Sequence, residues 1–485
     1  MSTMQHTDVL IIGAGISGIS SAHHLQKNCP EKSFEIIEAR NDIGGTWDLF
    51  RYPGIRSDSD MYTLGFSFRP WKDPKAIADA PSIMKYLRGA VDEDQLQRKI
   101  IFGKKVIDAA WSTPESRWNL TIEDQATGEI EQRSCSFLHM CSGYYNYDQG
   151  HQPAFPNQEA FKGTVVHPQF WPEDLDYEGK KVVVIGSGAT AVTLVPAMAE
   201  KAEKVTMLQR SPTYIVARPA EDGLANFLRR VLPARWAYGV TRWRNVLLGR
   251  LFFWYCRRWP HRARKMLLQG LQDEVPAGFD IDKHLTPHYN PWDQRLCLAP
   301  DGDFFASLRN GTAEIATDHI ETFTENGIAL KSGETLDADI IVSATGLDLN
   351  FFGNMNLKVD NEDIVPGDLL NYKGMMFSGL PNLASSFGYT NASWTLRCDL
   401  TSAYVCRLIK HMDSKGYKKA VPTVDRSKVQ TDPLLDFSSG YVVRKSEELP
   451  KQGSEAPWRM YQNYILDVFS INFGNVDDSA NITFS

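Results

Sequence analysis

The sequence lacks several features that would assign it to a specialised class of protein. Its seven cysteines are an odd number and no two are spaced as C-x-x-C, so neither a disulfide framework nor a thiolate metal site is predicted. No run of about 18 apolar residues is present, which argues against a membrane-spanning helix. The N-terminus has no basic segment followed by an apolar stretch and a cleavage site, so we expect a cytoplasmic protein.

The sequence also lacks an excess of positive charge. It has 52 Lys and Arg against 59 Asp and Glu, a net charge of −7, so no nucleic-acid partner is expected. Apolar residues make up 42% and charged residues 23%, as in ordinary globular proteins. With 485 residues, the chain is about three times the size of an average domain, so we expect two or three domains.

A glycine motif follows the first apolar run of the chain. Residues 8–12 (DVLII) predict a strand, and Gly13, Gly15 and Gly18 follow before a helical segment and a second strand that ends at Glu38. In this order Gly13 permits a tight turn, Gly15 lets a pyrophosphate approach and Gly18 lets the helix pack on the strand. The pattern predicts a dinucleotide-binding fold in which Glu38 binds an adenosine ribose.

A second motif of this kind follows the strand 181–185. Gly186, Gly188 and Ala191 form G-x-G-x-x-A before another helical segment. The strand after that helix ends in Arg210, where the first motif has an acid, and an arginine suits the 2′-phosphate of NADP. The alternative is that Arg210 is only a solvated charge at the end of a strand.

Two nucleotide folds in one chain suggest FAD in the first and NADPH in the second, because a flavin accepts the hydride that a nicotinamide donates. The apolar strand 338–346 marks the predicted return from the second fold to the first. We therefore predict an α/β protein with two Rossmann-like domains, the second inserted in the first. The predicted segments are 1–150 (FAD-binding domain, first part), 151–218 (NADP-binding domain, first part), 219–291 (helical insertion), 292–340 (NADP-binding domain, second part) and 341–485 (FAD-binding domain, second part).

The helical insertion contains an unusual basic stretch. Residues 225–272 include ten Arg and one Lys but no Asp or Glu, in a chain whose net charge is −7. Pro233 and Pro260 bracket a predicted helix on which six apolar residues share one face, namely Trp236, Val240, Trp243, Leu247, Leu251 and Trp254. We expect this face to pack on the protein itself, and the alternative is peripheral contact with an anionic membrane surface through residues 234–259.

The segment between the two nucleotide motifs carries a third pattern. FKGTVVHPQFWP contains Phe161, Gly163, His167, Trp171 and Pro172. It resembles the signature F-x-G-x-x-x-H-x-x-x-W-[PD] of the Baeyer-Villiger monooxygenases, whose relatives that oxidise nitrogen and sulfur usually have Tyr or Phe in place of the Trp. In that family the segment lies between domains and is thought to couple their motion, so its residues need not contact substrate.

The resemblance covers nearly the whole chain. The segments 44–71, HYNPWDQRLCL and GYTNASWTL look especially like the ethionamide-activating subgroup, which oxidises ketones and thioamide prodrugs. The resemblance implies that Arg295 is the central catalytic group and that Asp58 supports Arg295. Gln294 stands where many relatives have a lysine that holds the NADP phosphate, which weakens the expected preference for NADPH. We also consider Trp394 as a candidate wall of the substrate pocket.

The two motifs and the resemblance together define the predicted cofactor contacts. On the FAD side these are Gly13, Gly15, Ser17, Gly18, Glu38, Gly45, Thr46, Trp47, Arg56, Ser57, Asp58 and Val106. On the NADP side they are Gly186, Ser187, Gly188, Ala189, Thr190, Ala191, Arg210 and Ser211. No metal site is predicted.

The resemblance implies a reaction in which NADPH reduces the flavin, O2 adds to give a C4a-peroxyflavin, and this species attacks a ketone to give an ester or lactone. Sulfides and thioamides are expected as further substrates. The intermediates of this reaction carry their negative charge at the same position. A fixed guanidinium such as that of Arg295 stabilises this charge without losing its proton.

Other functions remain open at this point. A monooxygenase that oxidises only sulfur or nitrogen is the main alternative. A flavin disulfide reductase is not expected, because it would need a close pair of redox cysteines and the sequence has none. A non-catalytic flavin-binding or membrane-docking protein would need neither Arg295 nor Asp58, and these two residues could also form a plain ion pair between domains.

Overall fold

The computed structural model describes residues 4–435 and 439–485. The first part of the chain forms most of a large mixed sheet. The elements of this first part are β1 (Gln5–Ile12), α1 (Ile16–Asn28), β2 (Phe34–Ile37), α2 (Thr46–Leu49), α3 (Met61–Leu64), α4 (Ala80–Glu93), β3 (Ile100–Ile101), β4 (Lys104–Ser112), β5 (Arg117–Asp124) and β6 (Ile130–Met140). Strands β3, β2, β1 and β6 are parallel neighbours, and β5 and β4 extend the sheet antiparallel from β6. Strand β1 is buried from Val9 to Ile11, as a central parallel strand must be.

A second sheet follows in the chain. Its part of the fold contains β7 (Thr164–Val166), β8 (Lys181–Ile185), α5 (Ala189–Met198), β9 (Lys204–Gln209), β10 (Ile215–Arg218), α6 (Gly223–Val231), α7 (Ala234–Arg258), α8 (Pro260–Gln269), α9 (Ile281–His284), β11 (Cys297–Pro300), α10 (Asp303–Arg309), β12 (Ala313–Thr317), β13 (Ile320–Thr324), β14 (Gly327–Leu330), β15 (Thr335–Asp337) and β16 (Ile340–Ser343). Five strands form a parallel sheet in the order β12-β9-β8-β16-β7. Helix α5 follows β8 directly, so this sheet repeats the strand-loop-helix arrangement of the first.

The chain then returns to the first sheet. The remaining elements are β17 (Asn356–Val359), β18 (Glu362–Asp363), β19 (Asn371–Tyr372), β20 (Met376–Phe377), β21 (Leu383–Ser385), α11 (Trp394–Lys415), β22 (Ala420–Pro422), β23 (Thr431–Pro433), α12 (Gly440–Val443), β24 (Lys451–Gly453), α13 (Tyr464–Asp467), the π-helical turn Val468–Asn472 and β25 (Ile482–Phe484). Strand β21 pairs with β6 and β17 pairs with β4, both in parallel. The second sheet is therefore inserted in the first, and the predicted α/β class with two dinucleotide-binding domains is confirmed.

The predicted domain boundary at residue 340 needs a correction. Strand β16 pairs with β7 and β8, so it is a central strand of the second sheet and does not open the return to the first. The return to the first sheet begins with β17. An apolar strand sequence does not reveal which sheet it joins, because both sheets present buried parallel neighbours.

The expected internal packing of the basic helix is also wrong. Helix α7 begins at Ala234 and ends at Arg258, close to the predicted limits, but its predicted apolar face is exposed to solvent. Trp236, for example, is 71% exposed, whereas the opposite side of the helix, with Tyr238 and Arg242, is buried. Among the described residues, no helix, α7 included, is both long and apolar enough to cross a membrane.

Candidate active site

Both glycine loops open into one cavity of about 1080 Å³. Predicted site residues that line it are Gly13, Gly15, Ser17, Glu38, Gly45, Thr46, Trp47, Arg56, Ser57, Asp58, Val106, Gly186, Ser187, Gly188, Ala189, Thr190, Arg210, Ser211 and Arg295, together with Gln294 and Trp394. Gly18 and Ala191 are predicted residues that lie outside the lining. Both are buried residues of the helix that follows each loop, where this motif position lets the helix pack closely on the strand.

The first loop has a backbone that only glycine allows. Gly13 has φ +104°, and a Cβ there would lie 2.7 Å from the carbonyl oxygen of Cys141. A Cβ at Gly18 would collide with the carbonyl oxygen of Gly13. Helix α1 begins at Ile16 with no side-chain cap and no acid in its first turn, so its N-terminal amides remain available to an anionic group. The loop fits a pyrophosphate.

Glu38 lies at the end of β2 and is almost fully buried. Its carboxylate accepts hydrogen bonds from the amides of Ala14 (2.6 Å) and Arg40 (2.9 Å). Burial raises the pKa of Glu38, and these hydrogen bonds oppose the increase. A carboxylate can accept about four hydrogen bonds, so Glu38 keeps capacity for a ribose hydroxyl from the cavity side.

The second loop also requires glycine at its first motif position. Gly186 has φ +138°, and a Cβ there would collide with the carbonyl oxygen of Ala344, but a Cβ at Gly188 would meet open space. Helix α5, which begins at Ala189, again has no side-chain cap and no acid in its first turn. Arg210, directly after β9, is exposed at the cavity. This loop also fits a phosphate group, with a cation beside it.

The two predicted catalytic residues meet across the domains. The Nε atom of Arg295 lies 3.8 Å from Oδ2 of Asp58, within ion-pair distance but too far for a hydrogen bond. The Asp58 side chain is 13% exposed and that of Arg295 is 42% exposed. Burial raises the pKa of Asp58, and the charges of Arg295 and Arg56 oppose this effect. Arg56 forms an ion pair with Asp303, whereas Arg295 is at ion-pair distance from Asp58.

The residues of the segment 161–172 lie outside the cavity lining. Phe161 is buried, and a Cβ at Gly163 would collide with the carbonyl oxygen of Asp339 at the edge of the second sheet. The ring of His167 fills the space beside Gly150, and burial lowers its pKa. Trp171 is partly buried against the core of the second domain, and Pro172 is exposed. The segment therefore joins the second sheet to the connection between the domains.

Comparisons with known proteins identify the family. A family model described as flavin-binding monooxygenase-like matches residues 6–258. The FAD-containing monooxygenase EthA of Mycobacterium tuberculosis is 54% identical over 477 residues, which cover 98% of this chain and 97% of EthA. The chain belongs to the flavin-binding monooxygenase-like family. It is therefore a flavin monooxygenase.

Further relatives extend this picture. The probable FAD-binding monooxygenase AlmA of Acinetobacter baylyi is 50% identical, over 98% of this chain and 96% of AlmA. A steroid monooxygenase bound to NADP has the same fold, with a TM-score of 0.76 at 21% identity over 99% of both chains. A cyclohexanone monooxygenase bound to ε-caprolactone gives a TM-score of 0.78 at 18% identity, over 99% of this chain and 100% of that one.

The cavity of this monooxygenase has an aromatic wall that sequence reasoning found only in part. The indole Nε1 of Trp394 donates to Oγ of Ser17 at 2.8 Å, and its ring stacks on Tyr144 at 5.1 Å between centroids. The hydroxyl groups of Tyr144 and Tyr145 lie 3.1 Å apart. Tyr147 also lines the cavity, and burial raises the pKa of its hydroxyl group to about 12. The three tyrosines follow β6, so their position at the carboxyl end of a parallel strand was a usable signal.

Lys331 is a second cavity residue that the sequence did not indicate. It lines the cavity on the Arg210 side, because the amide of Asp318 donates to Gln209 (3.0 Å) and the amide of Lys331 donates to His319 (2.9 Å). A lysine that follows a hairpin strand is not part of any recognisable binding motif. Lys331 thus adds a second cation on the Arg210 side of the cavity.

Proposed function

We propose that this flavin monooxygenase is an FAD-dependent, NADPH-consuming Baeyer-Villiger enzyme. It inserts one oxygen atom of O2 next to the carbonyl of a small ketone to give an ester or lactone, and it also oxygenates the sulfur of sulfides and thioamides. The observation that supports this proposal most directly is the meeting of both glycine loops and the Arg295–Asp58 pair at one cavity.

The residues of the two loops fit the two cofactors. The amides at the start of α1 would hold the pyrophosphate of FAD and Glu38 its ribose, while the start of α5 and Arg210 would hold NADPH. Bound FAD supplies the redox chemistry of the reaction, since it accepts a hydride and activates O2. Names of the relatives support this assignment, because EthA and AlmA are described as FAD-containing or FAD-binding. Since NADPH is an intracellular reductant, we propose that the enzyme acts in the cytoplasm.

Arg295 supplies the electrostatic part of the reaction. Its guanidinium stays protonated at neutral pH and donates hydrogen bonds to oxygen that becomes negative as the carbonyl is attacked. Asp58 lies 3.8 Å from the guanidinium and would restrain its position through the attraction of opposite charges. The stacked rings of Tyr144 and Trp394 line the same cavity as Arg295.

The experiment is product analysis under labelled O2 with a cyclic ketone and with a methyl aryl sulfide. We expect one labelled oxygen in the ring of the lactone and one in the sulfoxide. Label in the sulfoxide with no lactone from any ketone would favour an enzyme that oxygenates only sulfur or nitrogen.

Arg295→Ala tests the role of the guanidinium. We expect NADPH to be consumed still, with hydrogen peroxide replacing the lactone, and lactone formation to fall about 10²- to 10³-fold. Arg309→Ala is a matched control, because the Arg309 side chain is 40% exposed, also pairs with an acid and lies outside the cavity. Near-normal lactone formation by Arg295→Ala would remove Arg295 from the mechanism.

A further inference from the structure

Helix α7 presents a continuous apolar face to solvent. Seven large side chains of this face are between 43% and 71% exposed, namely Trp236, Val240, Trp243, Leu247, Leu248, Leu251 and Trp254. Most recur at steps of three or four residues and so lie along one side of the helix. An exposed apolar stripe of this length is unusual for a protein surface and indicates a contact with something apolar.

The exposure of this face follows from how α7 is fixed to the protein. The buried guanidinium of Arg242 donates to the carbonyl oxygens of Tyr62 (2.9 Å) and Gly65 (2.7 Å), and the hydroxyl of Tyr238 donates to the carbonyl oxygen of Phe66 (2.9 Å). These polar contacts lie on the side opposite to the tryptophans. The helix is therefore held with its apolar face outward.

Two neighbouring elements extend the apolar surface. Helix α6, joined to α7 by a short turn, exposes Leu224, Phe227 and Val231. At the C-terminal end of the chain, the ring of Tyr464 lies 5.7 Å from that of Trp243, and the residues after it expose Leu466, Phe469 and Phe473. The surface therefore combines parts of the chain that are distant in sequence.

Positive charge surrounds this surface. Of the ten arginines in residues 225–272, Arg242, Arg244 and Arg257 pair with Asp399, Asp222 and Asp293. Five exposed basic residues of the stretch, Arg230, Arg235, Arg258, Arg262 and Lys265, have no carboxylate at ion-pair distance within the described part of the chain. Ion pairs within the protein therefore neutralise only some of the basic residues in this stretch.

We propose that this surface docks the enzyme on an anionic lipid bilayer. Helix α7 would lie in the plane of the interface with its tryptophans and leucines at the acyl boundary and its arginines on the headgroups. A net charge of −7 for the whole chain shows that the basic character is local to this surface. A second copy of the chain is a poorer partner, because a symmetric contact would bring the same arginines together. The proposal concerns binding and does not depend on the reaction that the enzyme catalyses.

The test is sedimentation of the purified holoenzyme with vesicles of equal parts phosphatidylglycerol and phosphatidylcholine, and with vesicles of phosphatidylcholine alone. We expect binding to the anionic vesicles at low salt and weaker binding as the ionic strength rises. Leu247→Asp combined with Leu251→Asp should abolish binding. The matched control is Ile130→Asp, since Ile130 is also exposed (54%) but lies in β6, away from α7.

Charge is tested separately. Arg235→Gln combined with Arg258→Gln should weaken binding about 25-fold, since each arginine near an anionic membrane contributes about fivefold. Lys180→Gln combined with Lys201→Gln removes two exposed charges from the second domain and should leave binding unchanged. All substituted residues are exposed, and flavin absorbance shows that each variant is folded.

Three results would overturn the proposal. They are no binding to anionic vesicles at low salt, equal binding to both kinds of vesicle, and binding that ionic strength does not change. Self-association that the Leu247→Asp, Leu251→Asp variant abolishes, without vesicle binding, would instead make the surface an interface between copies.

Discussion

The two glycine loops follow the same sequence pattern but differ in the burial of the charged residue beside each. In the first, both Gly13 and Gly18 lie where a Cβ would meet backbone, and Glu38 is buried with its carboxylate bound to two amides. In the second, a Cβ at Gly186 would likewise meet backbone, but Arg210 is exposed. The two loops therefore share the backbone constraint at their first glycine and differ in the burial of the charged residue that lines the cavity beside each.

This difference matches what the proposed cofactors do in one turnover. A flavin stays bound through many cycles, so a preorganised site that binds it tightly is an advantage. A nicotinamide must arrive, react and leave, and an exposed charged contact permits exchange. The same fold therefore serves two cofactors through the degree of burial around each loop.

The largest expected effect comes from filling the first loop. Gly13→Val should abolish flavin binding, because its φ of +104° and the contact with Cys141 admit no side chain. Gly188→Ala in the second loop is the control and should keep the flavin. The measurement is flavin absorbance per protein after size-exclusion chromatography. Equal flavin loss in both variants would show that flavin binding does not depend on the first loop in particular.

A smaller effect is expected at the second loop. Arg210→Ala should raise the KM for NADPH by about 10- to 100-fold and change the KM for NADH little, because a charged hydrogen bond to the 2′-phosphate is lost. Steady-state kinetics with both nicotinamides measure this. Lys331→Ala in the same assay shows whether the second cation shares the phosphate. Equal changes for NADPH and NADH would reject the role of Arg210.

The smallest effect concerns Asp58, where the two domains meet. Burial raises its pKa, so its ionisation costs folding stability as the pH rises through that pKa. Asp58→Asn should therefore match the wild-type Tm below about pH 4, where both side chains are neutral, and exceed it at pH 7. Lactone formation should fall in the same variant. A lower Tm at pH 7 would mean that the ion pair with Arg295 stabilises the fold.

The local features of this fold could be predicted from the sequence. Each strand-loop-helix unit is encoded within a short segment, because the turn needs glycine, the strand needs apolar residues and the helix follows directly. Glu38 and Arg210 were predicted from their places at strand ends, and both line the cavity. The limits of α7 were predicted closely for the same reason, since proline and periodicity are local signals.

The tertiary structure decided what depends on distant neighbours. Strand β16 joined the second sheet because of its partners β7 and β8, which its own apolar residues do not specify. Lys331 follows β14 of a separate three-stranded sheet and the tyrosines follow β6 of the first sheet, so they reach one cavity only because the fold brings the two sheets together. The periodicity of α7 showed which residues share a face, but exposure depends on whether another element covers that face. Backbone conformation is set largely by adjacent residues, whereas burial is set by what the rest of the chain brings alongside.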